Sequence, residues 1–158
     1  MIKEHDIIQN VGIGAFALHK FTCSYFAAKQ NTSGPSLAVT MPVLPILFHK
    51  KTLAAIYRRN MEGGLFNALS DCRELPVGLQ ERIENMSEQT FKSINVAFSS
   101  GLITYDREMA QLFPVDKQVK VGQYNSDIKT IIKGADRLGY WFAGISFEQL
   151  CILLKINF

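Results

Sequence analysis

Residues 87 to 115, SEQTFKSINVAFSSGLITYDREMAQLFPV, switch from a helical to a strand pattern at one glycine, and that switch limits the fold more than any other stretch. Phe91, Ile94 and Phe98 fall at i, i+3 and i+7 and so share one helix face. Gly101 follows Ser99 and Ser100, where a left-handed residue would end the helix. Leu102, Ile103 and Tyr105 make a short strand-type run, Asp106 to Ala110 a polar turn, and Leu112 to Val115 a second strand-type run that contains Pro114. A helix feeding a β-hairpin in this way is the end of a winged helix-turn-helix. Upstream, Leu79, Ile83 and Met86 form a one-sided helix, and Ser87 is placed to cap the next one. The spacing therefore predicts two short helices separated at Met86–Ser87.

The rest of the chain reads as helices. Residues 1 to 9 are a polar lead. Ala15, Leu18, Phe21, Thr22, Tyr25 and Phe26 keep the helical period, so an amphipathic helix is expected from Gly12 or Gly14 to Lys29. NTSGP at 31 to 35 is a loop. Ser36 to Phe48 is apolar on every side; Pro42 and Pro45 leave its secondary structure open, and a kinked buried helix is expected over an extended strand. Its apolar stretch is about a dozen residues, against the roughly 20 that cross a bilayer. Short helices follow at Thr52–Arg59 and Leu65–Glu74, interrupted at Gly63–Gly64, and Leu75 to Gly78 is a connector. DKQVKVGQYN at 116 to 125 is a polar linker. Ile128, Ile131, Ile132, Ala135, Leu138 and Phe142 lie on one stripe of a further helix, and Phe147 to Leu154 is the last. These readings give a mainly α fold with a small β-hairpin, winged-helix-like, as a single domain over 1–158. N-terminal helices and the buried apolar segment occupy 8–50, the winged-helix core 51–115, and C-terminal helices 126–158.

Composition narrows the function classes. The net charge is +3, too small to mark a nucleic-acid binder by itself. Cations do cluster: His49, Lys50, Lys51, Arg58 and Arg59 have no acid between them. In the DNA-reading mode the helix after Ser87 would enter the major groove, with Glu88, Gln89, Lys92, Ser93, Asn95 and Ser99 facing outward. Gln89 and Asn95 suit adenine edges. Yet Lys92 is offset by Glu88, and Arg107 of the turn by Asp106 and Glu108, so phosphate neutralisation is weak there. A docking role fits better, and if DNA is touched the cluster from His49 to Arg59 is the better contact.

No catalytic pattern stands out. Gly12-Ile13-Gly14 lacks the third glycine and the preceding strand of a dinucleotide loop, and no phosphate-binding GxxxxGK[ST] occurs. His5, His19 and His49 have no partner histidine at ligand spacing, so neither a metal nor a cofactor is expected. His19 and Cys23 are four apart and can touch, most simply as a core thiol beside a histidine. Cys23, Cys72 and Cys151 are odd in number, without a CxxC pair, as expected of reduced thiols in a cytoplasmic protein. MIKEHDIIQN carries acids and lacks the apolar core of a secretory signal.

Three blocks in series carry a resemblance: NVGIGAFALHKFTCSYF at 10–26, VLPILFHKKT at 43–52 and ADRLGYWFAG at 135–144. With the helix-hairpin segment between the second and third, the chain resembles the middle component of bacterial three-component ABC systems over roughly 8–158. His49 and Lys50 match that family's His-Lys pair, and Leu138, Gly139, Trp141 and Phe142 its Leu-Gly-x-Trp-Phe step. The resemblance implies a cytoplasmic, non-catalytic adaptor, without a membrane span, that links an SMC-like ABC ATPase to an effector component. Such systems are thought to act against phage and other mobile elements. It leaves room for self-association and for DNA contact through the complex. It assigns the four residues of the Leu-Gly-x-Trp-Phe step to packing or to an interface.

Overall fold

A computed structural model of the chain describes residues 4–115 and 126–158, with side chains described from Asn10 onward. The polar lead's first residues and the linker expected at 116 to 125 lie outside the described residues. In chain order the elements are α1 (Glu4–Ala28), α2 (Leu37–Thr40), α3 (Val43–Leu47), α4 (Lys50–Ile56), a 3-10 turn (Met61–Gly63) and α5 (Gly64–Asp71). Then come α6 (Leu79–Ser99), β1 (Ile103–Asp106), β2 (Gln111–Pro114), α7 (Ser126–Ala143) and α8 (Phe147–Leu154). The fold is mainly helical with one two-stranded antiparallel hairpin.

α1 is the central element, and it begins earlier than the periodicity indicates. It packs on α7, α6, β2 and α3. Ala17, Leu18 and His19 are buried consecutively, so α1 is enclosed on most sides and has no broad polar face. It ends without glycine. Gln30 and Asn31 both take left-handed backbone, and the Asn31 amide donates to the Phe26 carbonyl. The NTSGP loop then docks on the hairpin. The Leu112 amide donates to the Pro35 carbonyl at 2.8 Å, and Ser36 bridges to Gln111. A Cβ on Gly34 would lie 1.7 Å from the Leu112 carbonyl oxygen, so only glycine fits.

The apolar segment folds as two short buried helices, in keeping with the kinked-helix expectation. Ser36 caps α2, its hydroxyl accepting from the Val39 amide. Pro42 stands at the N-cap of α3 and Pro45 within its first turn, where backbone donors have no intrahelical acceptor to lose. Val43, Leu44, Ile46 and Leu47 are all buried.

The expected helix-turn-helix does not form. Residues 79 to 99 are one continuous helix, α6. Ser87 does not cap a new helix; its hydroxyl donates back to the Glu84 carbonyl at 3.0 Å. Such back-bonding is how a serine is accommodated inside a helix. The face also differs from the reading of Phe91, Ile94 and Phe98. Thr90, Ser93, Ile94 and Ala97 are buried, whereas Phe91 is 48% exposed. Ser93, expected outward, donates to the Val11 carbonyl in the core.

The end of α6 follows the sequence closely. Gly101 has φ +71°, the Leu102 amide donates to the Ala97 carbonyl, and the Gly101 amide to the Phe98 carbonyl. That paired closure requires a left-handed residue at Gly101. The hairpin pairs Ile103 with Pro114, Thr104 with Phe113, Tyr105 with Leu112 and Asp106 with Gln111. Asp106 shapes the turn, its carboxylate accepting from the Glu108 and Met109 amides. α8 starts at a capping box formed by Ser146 and Gln149. One cluster of buried side chains runs from Ala15 to Ile156.

Candidate functional site

The basic cluster is divided by the geometry of α4. Successive helical residues point about 100° apart, and Lys50 and Lys51 accordingly line different cavities. Lys50 borders one of about 410 Å³ with Asn10, Leu47, Met86 and Gln89. Lys51 borders another of about 510 Å³ with His49, Thr52, Glu74 and Arg82. Arg58 lies over the Tyr57 ring at 5.1 Å. Arg59 is committed inside the molecule. Its Nε donates to the Ala55 carbonyl, and its Nη1 meets the Asp71 carboxylate at 2.7 Å. Its own carbonyl accepts from Arg137 Nε at 3.0 Å. The cluster is therefore shared between two cavities, and Arg59 is not a free cation.

Lys92 is held by Glu88 at 3.2 Å, one turn away on α6. Arg107 is exposed in the hairpin turn. These two cations lie on different elements, and neither lines the two cavities that Lys50 and Lys51 border.

Leu138, Gly139, Trp141 and Phe142 are all buried on α7. Phe142 meets Phe21 edge-on, with ring centroids 5.8 Å apart. The Trp141 indole donates to the Met61 carbonyl at 2.9 Å, tying α7 to the 3-10 turn. Gly139 admits α1: a Cβ there would lie 2.4 Å from the Phe21 carbonyl oxygen. In the same groove Ser24 donates to the Asp136 carboxylate.

His19 and Cys23 do touch, Nε2 to Sγ at 3.4 Å, and the same Nε2 is 3.4 Å from the Val115 carbonyl. Burial pushes the His19 pKa down; the Val115 carbonyl opposes that and Lys20 adds to it. The contact joins α1 to the end of the hairpin.

Arg82 is the residue that sequence reasoning missed. It sits on α6 between the buried Leu79 and Ile83, yet faces the cavity of His49 and Lys51. Its Nη1 donates to the Val77 carbonyl at 3.1 Å. Its Nε and Nη2 are buried with no partner among the described residues, as is His49 Nδ1. Burial lowers the pKa of both groups, and Arg82 and Lys51 lower that of His49 further. A cation beside a buried helix stripe was the one available signal, and it does not reveal what lies opposite.

The family model for "ABC-three component (ABC-3C) system Middle Component 3" matches residues 1–158. The chain belongs to this family. Neither the curated proteins nor the solved structures contain a match. Membership makes the chain one part of a multi-component ABC system, with the other components as its partners. Among the described residues of this middle component, no helix is long and apolar enough to cross a membrane.

Proposed function

We propose that this middle component is a non-catalytic adaptor. It couples an SMC-like ABC ATPase to an effector component in a bacterial system directed against phage or other mobile elements, and acts in the cytoplasm. The observation that carries this reading is the family match over residues 1–158. The surface supports it. Phe91 and Val96 on α6, and Tyr105 and Met109 on the hairpin that follows it, are exposed apolar side chains. Apolar side chains of this kind are what a docked component would cover. Transmission would then be by docking of the α6-hairpin side, with no chemistry on this chain.

Co-purification with the ATPase and effector encoded beside it tests the reading. A stable complex is expected, with Phe91→Glu and Met109→Glu weakening it while leaving the thermal midpoint of the isolated chain unchanged. Failure of either component to associate would overturn it.

A second reading, a DNA-contacting subunit, is favoured by one observation. Lys50 and Lys51 are exposed on α4 and Arg58 just beyond it, and none makes an ion pair among the described residues. Gel shifts at low and high salt decide it. A steep salt dependence supports DNA contact, and absence of binding at low salt removes it.

A further inference from the structure

The cavity of about 510 Å³ is built from three separate parts of the chain: His49, Lys51 and Thr52 at α4, Cys72 and Glu74 after α5, and Arg82 on α6. Its polar groups are out of balance. Arg82 spends one donor, Nη1, on the Val77 carbonyl. Its Nε and Nη2, which share one edge of the guanidinium plane, are buried without a partner among the described residues. His49 Nδ1 is in the same state. Glu74 is the carboxylate at the cavity, but it is exposed and makes no ion pair among the described residues.

A buried guanidinium edge without an acceptor is costly, because its donors have left water and gained nothing. The Nε–Nη2 edge presents two parallel N–H groups at the spacing of the two oxygens of a carboxylate. Lys51 adds a second positive charge at the same cavity. We propose that Arg82, Lys51 and His49 form a carboxylate-binding pocket, in which a side-chain movement uncovers the Arg82 Nε–Nη2 edge so that it grips both oxygens. Lys51 supplies long-range attraction, and His49 donates from Nδ1. Burial and the two neighbouring cations keep His49 neutral, so one nitrogen carries the proton that the bond needs.

Charge selects carboxylate over phosphate. Lys51 and Arg82 against Glu74 leave one net positive charge, which a monoanion neutralises. A dianion would exceed it and meet Glu74 as a like charge. The carboxylate can come from a free small acid or from the terminus of another chain. The pocket stands on its own donors and does not depend on the adaptor reading.

Arginine-labelled NMR of the full chain tests this. The Arg82 Nε–H signal, assigned by its loss in Arg82→Lys, is followed during titration with sodium acetate, sodium phosphate and sodium chloride at matched ionic strength. Acetate is expected to shift it saturably. Lys51→Gln, a change at an exposed side chain, is expected to weaken acetate by about threefold. Chloride should not reproduce the shift. No saturable acetate shift, or an equal response to chloride, overturns the pocket, and tighter binding of phosphate than acetate overturns the carboxylate assignment. Two peptides that differ only in a free or amidated C-terminus separate the sources. Tighter binding of the free-terminus peptide than of acetate assigns the source to another chain, and no gain over acetate assigns it to a small acid. Should Arg82→Lys unfold, through-bond correlation from the Arg82 backbone assigns the signal instead, and the acetate, chloride and Lys51→Gln comparisons decide the matter.

Discussion

Gly139 leaves room for the α1 backbone against α7 where a side chain would not. A Cβ would lie 2.4 Å from the Phe21 carbonyl oxygen and 2.7 Å from Ser24 Cβ, and backbone cannot swing aside as a side-chain end can. Gly139→Ala is expected to destabilise by about 1–3 kcal/mol, the usual cost of overpacking. Gly144 is the control, because a Cβ there meets only the Trp141 carbonyl at 3.7 Å. Gly144→Ala should change stability by less than about 0.5 kcal/mol in the same chemical denaturation; equal losses at both would contradict the close-approach account. His19 makes a second prediction. Its native pKa lies below the ordinary 6.5, chiefly through burial. As pH falls through the ordinary value, the unfolded chain takes up a proton before the native chain does. The stabilisation is therefore complete above pH 6.5 and is lost as pH falls toward the lowered native pKa. The thermal midpoint should drop in that window, less steeply in His19→Gln. His49 titrates in the same direction and leaves a residual slope. A midpoint flat with pH in both proteins would refute the assignment.

α6 shows which elements a sequence reveals and which it does not. Its C-terminal end was legible because every signal is local: Gly101 must be left-handed, and the apolar period changes within a few residues of it. The hairpin was legible for the same reason. The helix break expected at Met86–Ser87 was not real, because a serine hydroxyl serves two opposite purposes. It can accept from an amide ahead as a cap or donate to a carbonyl behind, and Ser87 donates to Glu84. The letter is the same in both cases. The burial of Ser93 depends on α1 bringing Val11 within reach, and the pocket around Arg82 depends on α4 lying opposite α6. Both are long-range juxtapositions that spacing along the chain does not encode. The two accounts of Ser87 differ sharply for proline. At the start of a helix proline is well tolerated, whereas in a helix interior it costs about 3 kcal/mol or more. Ser87→Pro is expected to destabilise by at least that amount in urea denaturation, with loss of helical circular dichroism. A near-neutral result would restore the two-helix reading.

At the scale of the molecule, the chain's order along the sequence is not its order in space. α1, from the first third, packs against α7, against β2 and against α6, so early and late segments complete one another's cores. Phe21 of α1 needs Phe142 of α7 as its edge-on neighbour, and the buried cluster takes in residues from Ala15 to Ile156. The winged-helix core expected at 51–115 would therefore lose the α1 contacts of Ser93 and Leu112's strand if cut out alone. We infer that residues 1–158 unfold as one unit. The single tryptophan permits a direct check. Trp141 is buried on α7 and bonded to the 3-10 turn at Met61, so its emission reports the packing of α7 on the middle of the chain. Far-ultraviolet circular dichroism reports all the helices together. For a two-state domain the two probes give coincident transitions with one midpoint. Coincidence is expected here, and Gly139→Ala should shift both curves equally, because the α1–α7 contact belongs to the common core. Tryptophan exposure that precedes the loss of helix would mean that α7 detaches on its own. In that case the chain would be a helical core with a separable C-terminal arm.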